Sequence, residues 1–415
     1  MRNSKSDFEI MEPPQVNSAI RNPHSAIEPT PFMRLIEVRA AAACRWMLRS
    51  IEVNRGGGSS DLYSRWFKPF HGWGWPYPET TGYIIPTLLE YAAFSGQREF
   101  ERVAIQQADW ILTLQFSDGA LPGHDVVRGV RKGPSVFNTG QMIFGLVAAF
   151  DHTKDAKYLD AALRAARWLA SGVDEKSGVW QGHNYVEGFS PAYHARVAWP
   201  MLEAWSRTRD EMVRAAAVRA LDTIVSWQKP NGAIDHWSFF PGRAAFTHTI
   251  AYTLDGLLES GRLLGEHGRT YSEAAYKCSD VLRRKLELRG GLAGAYDLEW
   301  RGKYWYTCLT GNCQMAIIWM LIADRWNDLR FFSAALKALE PVIASQRMRH
   351  FDRNVRGAIP GSRPFWGRYL TMRYPNWAPK FYVDALLMAR ERLGRLLESE
   401  QEALQSSGAA YQTGD

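Results

Sequence analysis

Carboxylates in the predicted loops of this 415-residue chain are the first candidates for chemistry. Hydrolysis of a glycosidic bond uses two carboxyl groups that flank the scissile bond. The loop carboxylates are Glu79, Asp118, Asp125, Asp174, Glu187, Asp235, Asp297 and Glu299. Glu79, Asp118 and Asp235 each adjoin a motif that recurs along the chain, but Asp118 lies in an Asp-Gly turn that needs no catalytic explanation. Glu79 and Asp235 are therefore the predicted carboxylate pair.

Histidines show the same distribution, since seven of the ten lie in these loops or in the first turn of a predicted helix. They are His71, His124, His183, His194, His236, His248 and His350. Elimination from a uronate, or its epimerisation, needs a His or Tyr base and Asn or Arg groups that stabilise the carbanion. Those groups could come from His194, His248, Tyr193, Tyr252, Asn138, Asn184, Arg196 and Arg243. His194 and His248 thus join the catalytic candidates, and three reaction types stay open.

Aromatic residues accompany these polar groups. Loop tryptophans are Trp66, Trp73, Trp75, Trp180, Trp237, Trp300, Trp305, Trp366 and Trp377. Sugar rings stack their C–H faces on aromatic side chains and need hydrogen-bonding groups alongside. The predicted substrate-binding residues are Trp75, Tyr83, Asn138, Tyr193, Arg196, Trp237, Trp305, Asn312 and Trp377.

The sequence predicts neither a metal nor a cofactor. Cys308 and Cys313 have no nearby His and are not spaced like the ligand pairs of structural zinc sites. No phosphate-loop or dinucleotide fingerprint occurs. No Asp-rich run of the kind needed for terpenoid cyclisation is present either, which leaves that class a remote alternative. The formal charge of +7 is compatible with an acidic partner, but no nucleic-acid-binding motif is present.

The elements that must position these residues form a repeat. Similar segments open a helix at Glu79-Thr80-Thr81-Gly82-Tyr83, Asn138-Thr139-Gly140-Gln141, Pro191-Ala192-Tyr193-His194, Thr247-His248-Thr249, Thr310-Gly311-Asn312 and Asn376-Trp377-Ala378, roughly 53–66 residues apart. Each unit has an amphipathic helix, a loop of roughly 18–30 residues, a largely apolar helix and a very short turn. Long loops are commonly functional, and alternating helices place all of them on one face. The pattern predicts an all-α ring, an (α/α)6 toroid of six helical hairpins.

Helix positions follow from the periodicity of apolar residues. The amphipathic outer helices are predicted at 33–54, 98–115, 155–171, 209–228, 270–286 and 328–346. The apolar inner helices are predicted at 81–94, 139–151, 191–206, 247–264, 311–325 and 377–397. The predicted domain is 31–400, preceded by a disordered segment at 1–30 and followed by a flexible tail at 401–415.

Two sets of motifs resemble known families. Gln, three residues and Gly recur in Gln115-Phe116-Ser117-Asp118-Gly119 and Gln228-Lys229-Pro230-Asn231-Gly232. This pattern resembles the turn motif of α/α toroids, which include six-hairpin glycosidases, polysaccharide lyases and terpenoid cyclases. More narrowly, Pro78-Glu79-Thr80-Thr81-Gly82-Tyr83, Phe137-Asn138-Thr139-Gly140-Gln141 and Leu309-Thr310-Gly311-Asn312-Cys313 resemble bacterial polysaccharide-biosynthesis proteins of the VpsJ type. The second resemblance implies a setting in exopolysaccharide or capsule production.

The predicted function is therefore a carbohydrate-active protein of bacterial exopolysaccharide or capsule biosynthesis, most concretely a glycoside-cleaving enzyme acting on an acidic glycan. A uronate lyase or epimerase and a non-catalytic glycan-binding or assembly protein are the alternatives. The predicted partner is an oligo- or polysaccharide, with acidic and lipid-linked glycans as candidates. No stretch approaches about 18 apolar residues, and the N-terminus lacks the apolar segment of a secretory signal. Together with unpaired cysteines, this predicts a cytoplasmic protein.

Overall fold

The computed structural model describes residues 30–66 and 72–412, with side chains described as far as residue 401. His71 and almost all of the segment predicted to be disordered lie outside the described residues.

Twelve α-helices account for most of the described residues. Six form an outer layer: α1 (Pro31–Glu52), α3 (Arg98–Leu114), α5 (Ala156–Ser171), α7 (Glu211–Ser226), α9 (Arg269–Arg289) and α11 (Leu329–Ser345). Six form an inner layer: α2 (Pro78–Ser95), α4 (Val136–Thr153), α6 (Ala195–Thr208), α8 (Thr247–Leu264), α10 (Leu309–Trp326) and α12 (Trp377–Gln412). Each inner helix contacts the next inner helix, and α12 contacts both α1 and α2. The chain therefore closes into the predicted (α/α)6 toroid.

The two layers differ in how they are buried. The outer helix α3 buries only residues spaced three or four apart, from Phe100 through Val103 and Ala104 to Ile111. The inner helix α8 buries nearly every residue from Thr247 to Gly261 because other helices surround it. The core accordingly lies between the layers and inside the inner ring.

Glycines in the repeated motifs let inner helices approach each other closely. A Cβ on Gly82 of α2 would lie 2.6 Å from the Met142 Cα of α4. A Cβ on Gly311 of α10 would lie 2.8 Å from the His248 backbone nitrogen of α8. Only glycine leaves room for backbones this close. The Thr-Gly motifs thus mark the contact points between neighbouring inner helices.

Helix ends account for the differences from the predicted boundaries. The helix α2 begins at Pro78, because proline suits the first turn of a helix. The helix α4 begins at Val136, because the Ser135 hydroxyl caps the backbone N–H of Asn138. Both helices start three residues before their predicted positions. The helix α12 continues to Gln412, beyond its predicted end at 397 and into the segment predicted as a tail.

Six long loops follow the outer helices, while short turns follow the inner ones within the described chain. We call them loop 1 (53–77), loop 2 (115–135), loop 3 (172–194), loop 4 (227–246), loop 5 (290–308) and loop 6 (346–376). Because inner and outer helices alternate in direction, all six loops lie on one face, which we call the loop face.

Short antiparallel strand pairs join some of these loops. β1 (Leu62–Tyr63) of loop 1 pairs with β6 (Tyr374–Pro375) of loop 6. β2 (Ala245–Phe246) of loop 4 pairs with β3 (Ala295–Tyr296) of loop 5. β4 (Thr307–Cys308) of loop 5 pairs with β5 (Ser362–Arg363) of loop 6. Loops 4, 5, 6 and 1 are thereby connected in series.

The Gln-x3-Gly motif fixes loops to the next outer helix. The Gln115 Nε2 donates to the carbonyls of Gly119, at 3.0 Å, and of Ala161 in α5, at 2.8 Å. Gln228 repeats the arrangement with Gly232 and Ala274 of α9, at 3.1 and 2.9 Å. The motif is therefore structural.

No helix in the described part of the chain is long and apolar enough to cross a membrane.

Candidate active site

The N-terminal ends of the inner helices bring polar and aromatic side chains together inside the ring. We call Glu79, Tyr83, Tyr193, His248, Tyr252 and Tyr369 the axial cluster. The His248 ring centroid lies 4.2 Å from that of Tyr252 and 5.3 Å from that of Tyr369. Phe137 contacts both Tyr193 and Tyr252, at 5.3 Å each. Phe381 contacts Tyr83 and Tyr252, at 5.9 Å each.

Glu79, in the first turn of α2, is the carboxylate of this cluster. Burial raises the pKa of Glu79 to about 7, although a hydrogen bond from Tyr77 and the charge of Arg196 act in the opposite direction. The Asn138 amide in turn hydrogen-bonds the Tyr77 hydroxyl, so the pair orients the carboxyl group. A partly accessible carboxyl group with a pKa near neutrality can exchange a proton with a bound substrate.

Tyrosines of the cluster surround that carboxyl group. Burial raises the pKa of Tyr83, Tyr193 and Tyr252, and the charge of Glu79 raises each of them further. The hydroxyl groups of Tyr83 and Tyr252 are both buried. A hydrogen bond between these two side chains opposes the increase in the pKa of Tyr252. Buried polar groups normally find partners, and here the two tyrosines serve each other.

His248 is a neutral imidazole with one nitrogen fixed. Its Nδ1 lies 2.7 Å from the Gln314 Oε1, which favours the tautomer with the proton on Nδ1 and a lone pair on Nε2. Burial lowers the pKa of His248 to about 3, and the positive charge of Arg196 also lowers it. His248 can accept a proton but is a weak base.

His194 has a different environment. It lies in the single 3-10 turn that precedes α6, and its ring contacts Trp180 at 5.4 Å and Tyr193 at 5.5 Å. Burial lowers the pKa of His194 to about 3, and its Nε2 is buried with no described partner. The aromatic contacts favour a packing role, whereas the free Nε2 keeps the predicted catalytic role open.

Arg196 lies beneath the cluster. Its guanidinium is buried, forms an ion pair with Asp255 and hydrogen-bonds Gln141. Four aromatic rings surround it, those of Phe144, Trp199, Tyr252 and Phe381, at 5.0–5.2 Å. Because its hydrogen-bonding capacity is directed to protein partners, Arg196 acts on the site through its charge. This geometry does not favour the predicted direct contact between Arg196 and the substrate.

Two further carboxylates with raised pKa values lie in loops 1 and 2, and neither was among the favoured catalytic residues. Burial raises the pKa of Asp61 to about 7, with a contribution from the charge of Asp125. Burial also raises the pKa of Asp125, which the charges of Lys132 and His124 lower. The charges of both Glu79 and Asp125 raise the pKa of Tyr77, so both carboxyl groups lie in the neighbourhood of its hydroxyl. Loop 2 therefore brings a second carboxylate near Tyr77.

Asp235 lies elsewhere on the loop face. It lines a cavity of about 330 Å3 between loops 4 and 5, together with Trp237, Arg243, Asp297 and Glu299. Its carboxylate is 3.7 Å from the Lys229 ammonium. Trp237 is buried and packs on Trp300 at 5.2 Å. Asp235 and Trp237 thus line a cavity whose described lining includes no member of the axial cluster. Their predicted roles in catalysis and substrate binding stay predictions.

The remaining predicted residues are divided between the site and the scaffold. Trp377 is partly buried and donates from Nε1 to the Tyr369 hydroxyl at 2.8 Å, which places it at the axial cluster. Trp75 is partly buried in loop 1, where its carbonyl accepts from the Asp61 N–H at 3.2 Å. Trp305 is exposed in loop 5. Asn312 is buried and donates to the Ala338 carbonyl of α11 at 2.9 Å, so it braces an outer helix.

Sequence reasoning passed over Asp61 and Tyr369. Both lie in loops outside the recurring motifs. Only the folded chain brings Tyr369 against His248 and the Asp61 carboxyl group within reach of the charge of Asp125. Among the described residues, no group of three or more His, Cys, Asp or Glu side chains could hold a metal ion.

Comparison with known proteins supports the fold. No protein-family model and no curated protein sequence matches the chain. A cellobiose 2-epimerase from Bacillus thermoamylovorans has a similar structure, with a TM-score of 0.70 at 12% identity, covering 87% of this chain and 99% of that one. A heparin-specific unsaturated glucuronyl hydrolase gives 0.68 at 14% identity, covering 86% and 97%. Another unsaturated glucuronyl hydrolase, from Bacillus sp. GL1, gives 0.66 at 14% identity, covering 85% and 96%. At these identities the likeness establishes the six-hairpin toroid fold that these enzymes share.

Proposed function

We propose that this protein is a carbohydrate-active enzyme that hydrolyses a glycosidic bond in an acidic glycan during bacterial exopolysaccharide or capsule biosynthesis. The observation that carries this proposal is the Glu79 carboxyl group, with a pKa of about 7, at the centre of an aromatic cluster inside the ring. A protonated carboxyl group near neutral pH is what a glycosidase needs to protonate a leaving oxygen.

Asp125 is the second carboxylate in this proposal. It belongs to loop 2 and lies in the neighbourhood of Tyr77. Burial raises the pKa of Asp125, and the charges of Lys132 and His124 act in the opposite direction, toward its ionised form. An ionised carboxylate can activate water or attack the anomeric carbon, whereas Glu79 donates the proton. Tyr77 and Asn138 hold Glu79 in place.

Two further observations support the acidic substrate and the carbohydrate chemistry. The chain has a formal charge of +7, which favours anionic partners. The structural neighbours named above include hydrolases of unsaturated glucuronyl groups, one of them specific for heparin. The biosynthetic setting and the cytoplasmic location come from the sequence and its resemblance to proteins of the VpsJ type.

Incubation with a panel of uronate-containing oligosaccharides tests the proposal. We expect new reducing ends without the ultraviolet absorbance of an unsaturated uronate. Glu79→Gln should lower kcat at least about 100-fold, the range of a general acid contribution. Glu187→Gln is the matched control, because Glu187 is an exposed carboxylate in loop 3. Turnover that survives Glu79→Gln in folded protein would remove Glu79 from the mechanism. Clear glycan binding without turnover of any substrate would instead support a binding or assembly protein.

Epimerisation or elimination on a uronate is the second candidate, and His248 favours it. A neutral imidazole held by Gln314 beside Tyr252 could remove a proton next to a carboxylate. Rising ultraviolet absorbance during incubation would indicate elimination. Entry of solvent deuterium into the sugar without cleavage would indicate epimerisation. In either case His248→Gln, rather than Glu79→Gln, should abolish the reaction.

A further inference from the structure

A second surface on the loop face combines exposed arginines with an exposed aromatic ring. The first part of loop 6 reads Arg347-Met348-Arg349-His350-Phe351-Asp352-Arg353-Asn354-Val355-Arg356, with four arginines and one aspartate. We call Arg65, Arg349, His350, Phe351, Arg353 and Arg356 the arginine platform. Its four arginines are all exposed. An open depression of about 520 Å3 is lined by Met348, Arg349, His350, Phe351 and Arg356.

Phe351 is the apolar centre of this platform. Its side chain is 75% exposed, which is unusual for a large apolar residue. His350 stacks on it, with ring centroids 4.4 Å apart and an interplanar angle of 28°. The Arg65 guanidinium lies 5.1 Å from its ring centroid. An exposed aromatic face bordered by cations can take the C–H face of a sugar that carries an anionic group.

The arginines of the platform have no acidic partners of their own. Within the described part of the chain, none of Arg65, Arg349, Arg353 and Arg356 forms an ion pair. Asp352, the only carboxylate in this stretch, accepts hydrogen bonds from the Tyr63 hydroxyl, at 2.5 Å, and from the Asn354 N–H, at 2.9 Å. The positive charges of the platform also act on the neighbouring Arg49. Burial lowers its pKa, and the charges of Arg353 and Arg356 lower it further, against the effect of Glu52.

Hydrogen bonds hold the platform in one shape. The Arg356 Nε donates to the His350 carbonyl at 2.7 Å, and Arg49 donates to the Arg356 carbonyl. The His350 Nδ1 accepts from the Asp352 N–H at 3.1 Å, which places the ring proton on Nε2 as a free donor. Arg356 and His350 are thereby held in place, which lowers the ordering cost of binding an anion there.

We propose that the arginine platform is an accessory binding site for an acidic saccharide, separate from the axial cluster. Its arginines and His350 bind carboxylate or sulfate groups, and Phe351 takes the face of the sugar ring. The identification of the ligand as the glycan that the enzyme cleaves rests on the proposed function. The Tyr63–Asp352 contact joins the platform to loop 1, which also carries Asp61 and leads into Glu79. A long glycan held at the platform therefore enters the site from the side of loop 1.

Direct binding measurements on the Glu79→Gln protein test this proposal without depending on turnover. The probes are a long and a short oligogalacturonate and a neutral cello-oligosaccharide of the same length as the long one. We expect the double variant Arg349→Ala/Arg353→Ala to weaken binding of the long acidic probe about tenfold or more, which corresponds to about 1.4 kcal/mol. Phe351→Ala should weaken it with no change in net charge. Binding of the short acidic probe should change less.

The double variant Arg269→Ala/Arg330→Ala is the matched control, because both arginines are exposed at the start of outer helices, on the opposite face. An equal loss of binding in this control would overturn the proposal in favour of a non-specific charge effect. A second result would also overturn the proposal. If Phe351→Ala keeps its affinity for the long acidic probe and a single-stranded oligonucleotide binds equally tightly, the platform is a nucleic-acid surface. Platform binding without turnover of any glycan would remove the proposed hydrolysis and leave the accessory site intact.

Discussion

Burial, rather than a neighbouring anion, sets the acidity of the principal carboxyl group. The largest contribution to the raised pKa of Glu79 is its removal from water, and the positive charge of Arg196 opposes it. The same Arg196 charge lowers the pKa of His248. One buried guanidinium therefore favours an ionised carboxylate and a neutral imidazole in the same cluster.

The acidity of Glu79 makes a prediction for the pH profile. If Glu79 donates a proton, kcat/KM should fall as the pH rises through about 7, because the carboxyl group must be protonated in the free enzyme. The measurement is kcat/KM between about pH 5 and 9 for the wild type and for Asp61→Asn. Asp61 also titrates near pH 7, so this variant identifies the group responsible. If kcat/KM of Asp61→Asn no longer falls as the pH rises through about 7, the group responsible is Asp61 instead.

Asp61 makes a separate prediction about stability. Its pKa rises from an ordinary 3.8 to about 7 on folding. Between those values the folded state retains a proton that the unfolded state releases, so this group lowers the free energy of unfolding as pH rises. The slope is at most about 1.4 kcal/mol per pH unit for one proton. Asp61→Asn should therefore become more stable relative to the wild type from pH 4 to pH 7.

Urea unfolding at several pH values measures this difference. Asp235→Asn is the control, because Asp235 is a partly exposed loop aspartate. A change for Asp61→Asn no larger than the change in this control would show that Asp61 does not retain its proton in that range.

Some residues of the candidate site could be predicted from the sequence, and others could not. The sequence predicts Glu79, Asn138 and His248 as site residues because each lies in the first turn of an inner helix within a recurring motif. It predicts Asp235 because this residue follows the Gln-x3-Gly motif, which the structure shows to be a contact with an outer helix. Asp61 and Tyr369 had no local signal, since their positions depend on how loops 1 and 6 fold across the ring.

At the scale of elements, the recurring glycines control how closely inner helices pack. Gly82 meets α4 and Gly311 meets α8, both through backbone contacts that cannot move aside. The same first turns carry Glu79 and Asn312, so helix packing and site geometry depend on the same residues.

Gly82→Ala should destabilise the protein by about 1–3 kcal/mol, the usual range for overpacking a core. The added methyl group would lie 2.6 Å from the Met142 Cα and 2.8 Å from the Gln141 carbonyl oxygen. Chemical denaturation measures the change. Gly291→Ala is the control, because that glycine has open space around its Cβ position and no left-handed backbone angle. Equal stability of Gly82→Ala and the wild type would mean that α2 and α4 can separate without cost.

At the scale of the whole molecule, the ring depends on contacts between its first and last helices. The helix α12 packs against α1 and α2, and Arg390 pairs with Glu37 of α1 at 2.9 Å. Among the α12 residues whose side chains the structure describes, as far as Gln401, the last buried ones are Arg392 and Gly394, and most from Arg395 onward are exposed.

Truncations of α12 should therefore have very different effects. A chain that ends after Glu400 should keep a melting temperature within about 2 °C of the full chain, because it retains all described ring contacts. A chain that ends after Phe381 loses most of the helix that contacts α1 and α2. It should not give a cooperative unfolding transition. Thermal unfolding followed by circular dichroism distinguishes the two. Strong destabilisation of the longer chain would show that the end of α12 contributes to the ring.

The ring itself could be predicted from the sequence. Alternation of long loops and short turns, with apolar helices between amphipathic ones, leaves few arrangements that bury every apolar face. Helix ends were less certain, because Pro78 and Ser135 begin their helices before the apolar pattern does. The strand pairs could not be predicted, since each is only two residues long and joins distant loops.

Those strand pairs have a consequence for how the protein can evolve. Loops 4, 5, 6 and 1 are joined in series, so an insertion in any of them must preserve its register with a neighbour. The isolated bridges of loops 2 and 3 lie within each loop, at Pro122–Pro134, Val127–Val130, Val173–Trp180 and Val186–Phe189. Single backbone hydrogen bonds join loop 2 to loop 1, from Val126 to Pro76, and loop 3 to loop 4, from Ala192 to His236. Loop 3 also packs on loop 4, with the Tyr185 ring 6.0 Å from that of Phe239. Loop 2 can therefore vary in length more independently than the others, and homologues should diversify their substrate range there first.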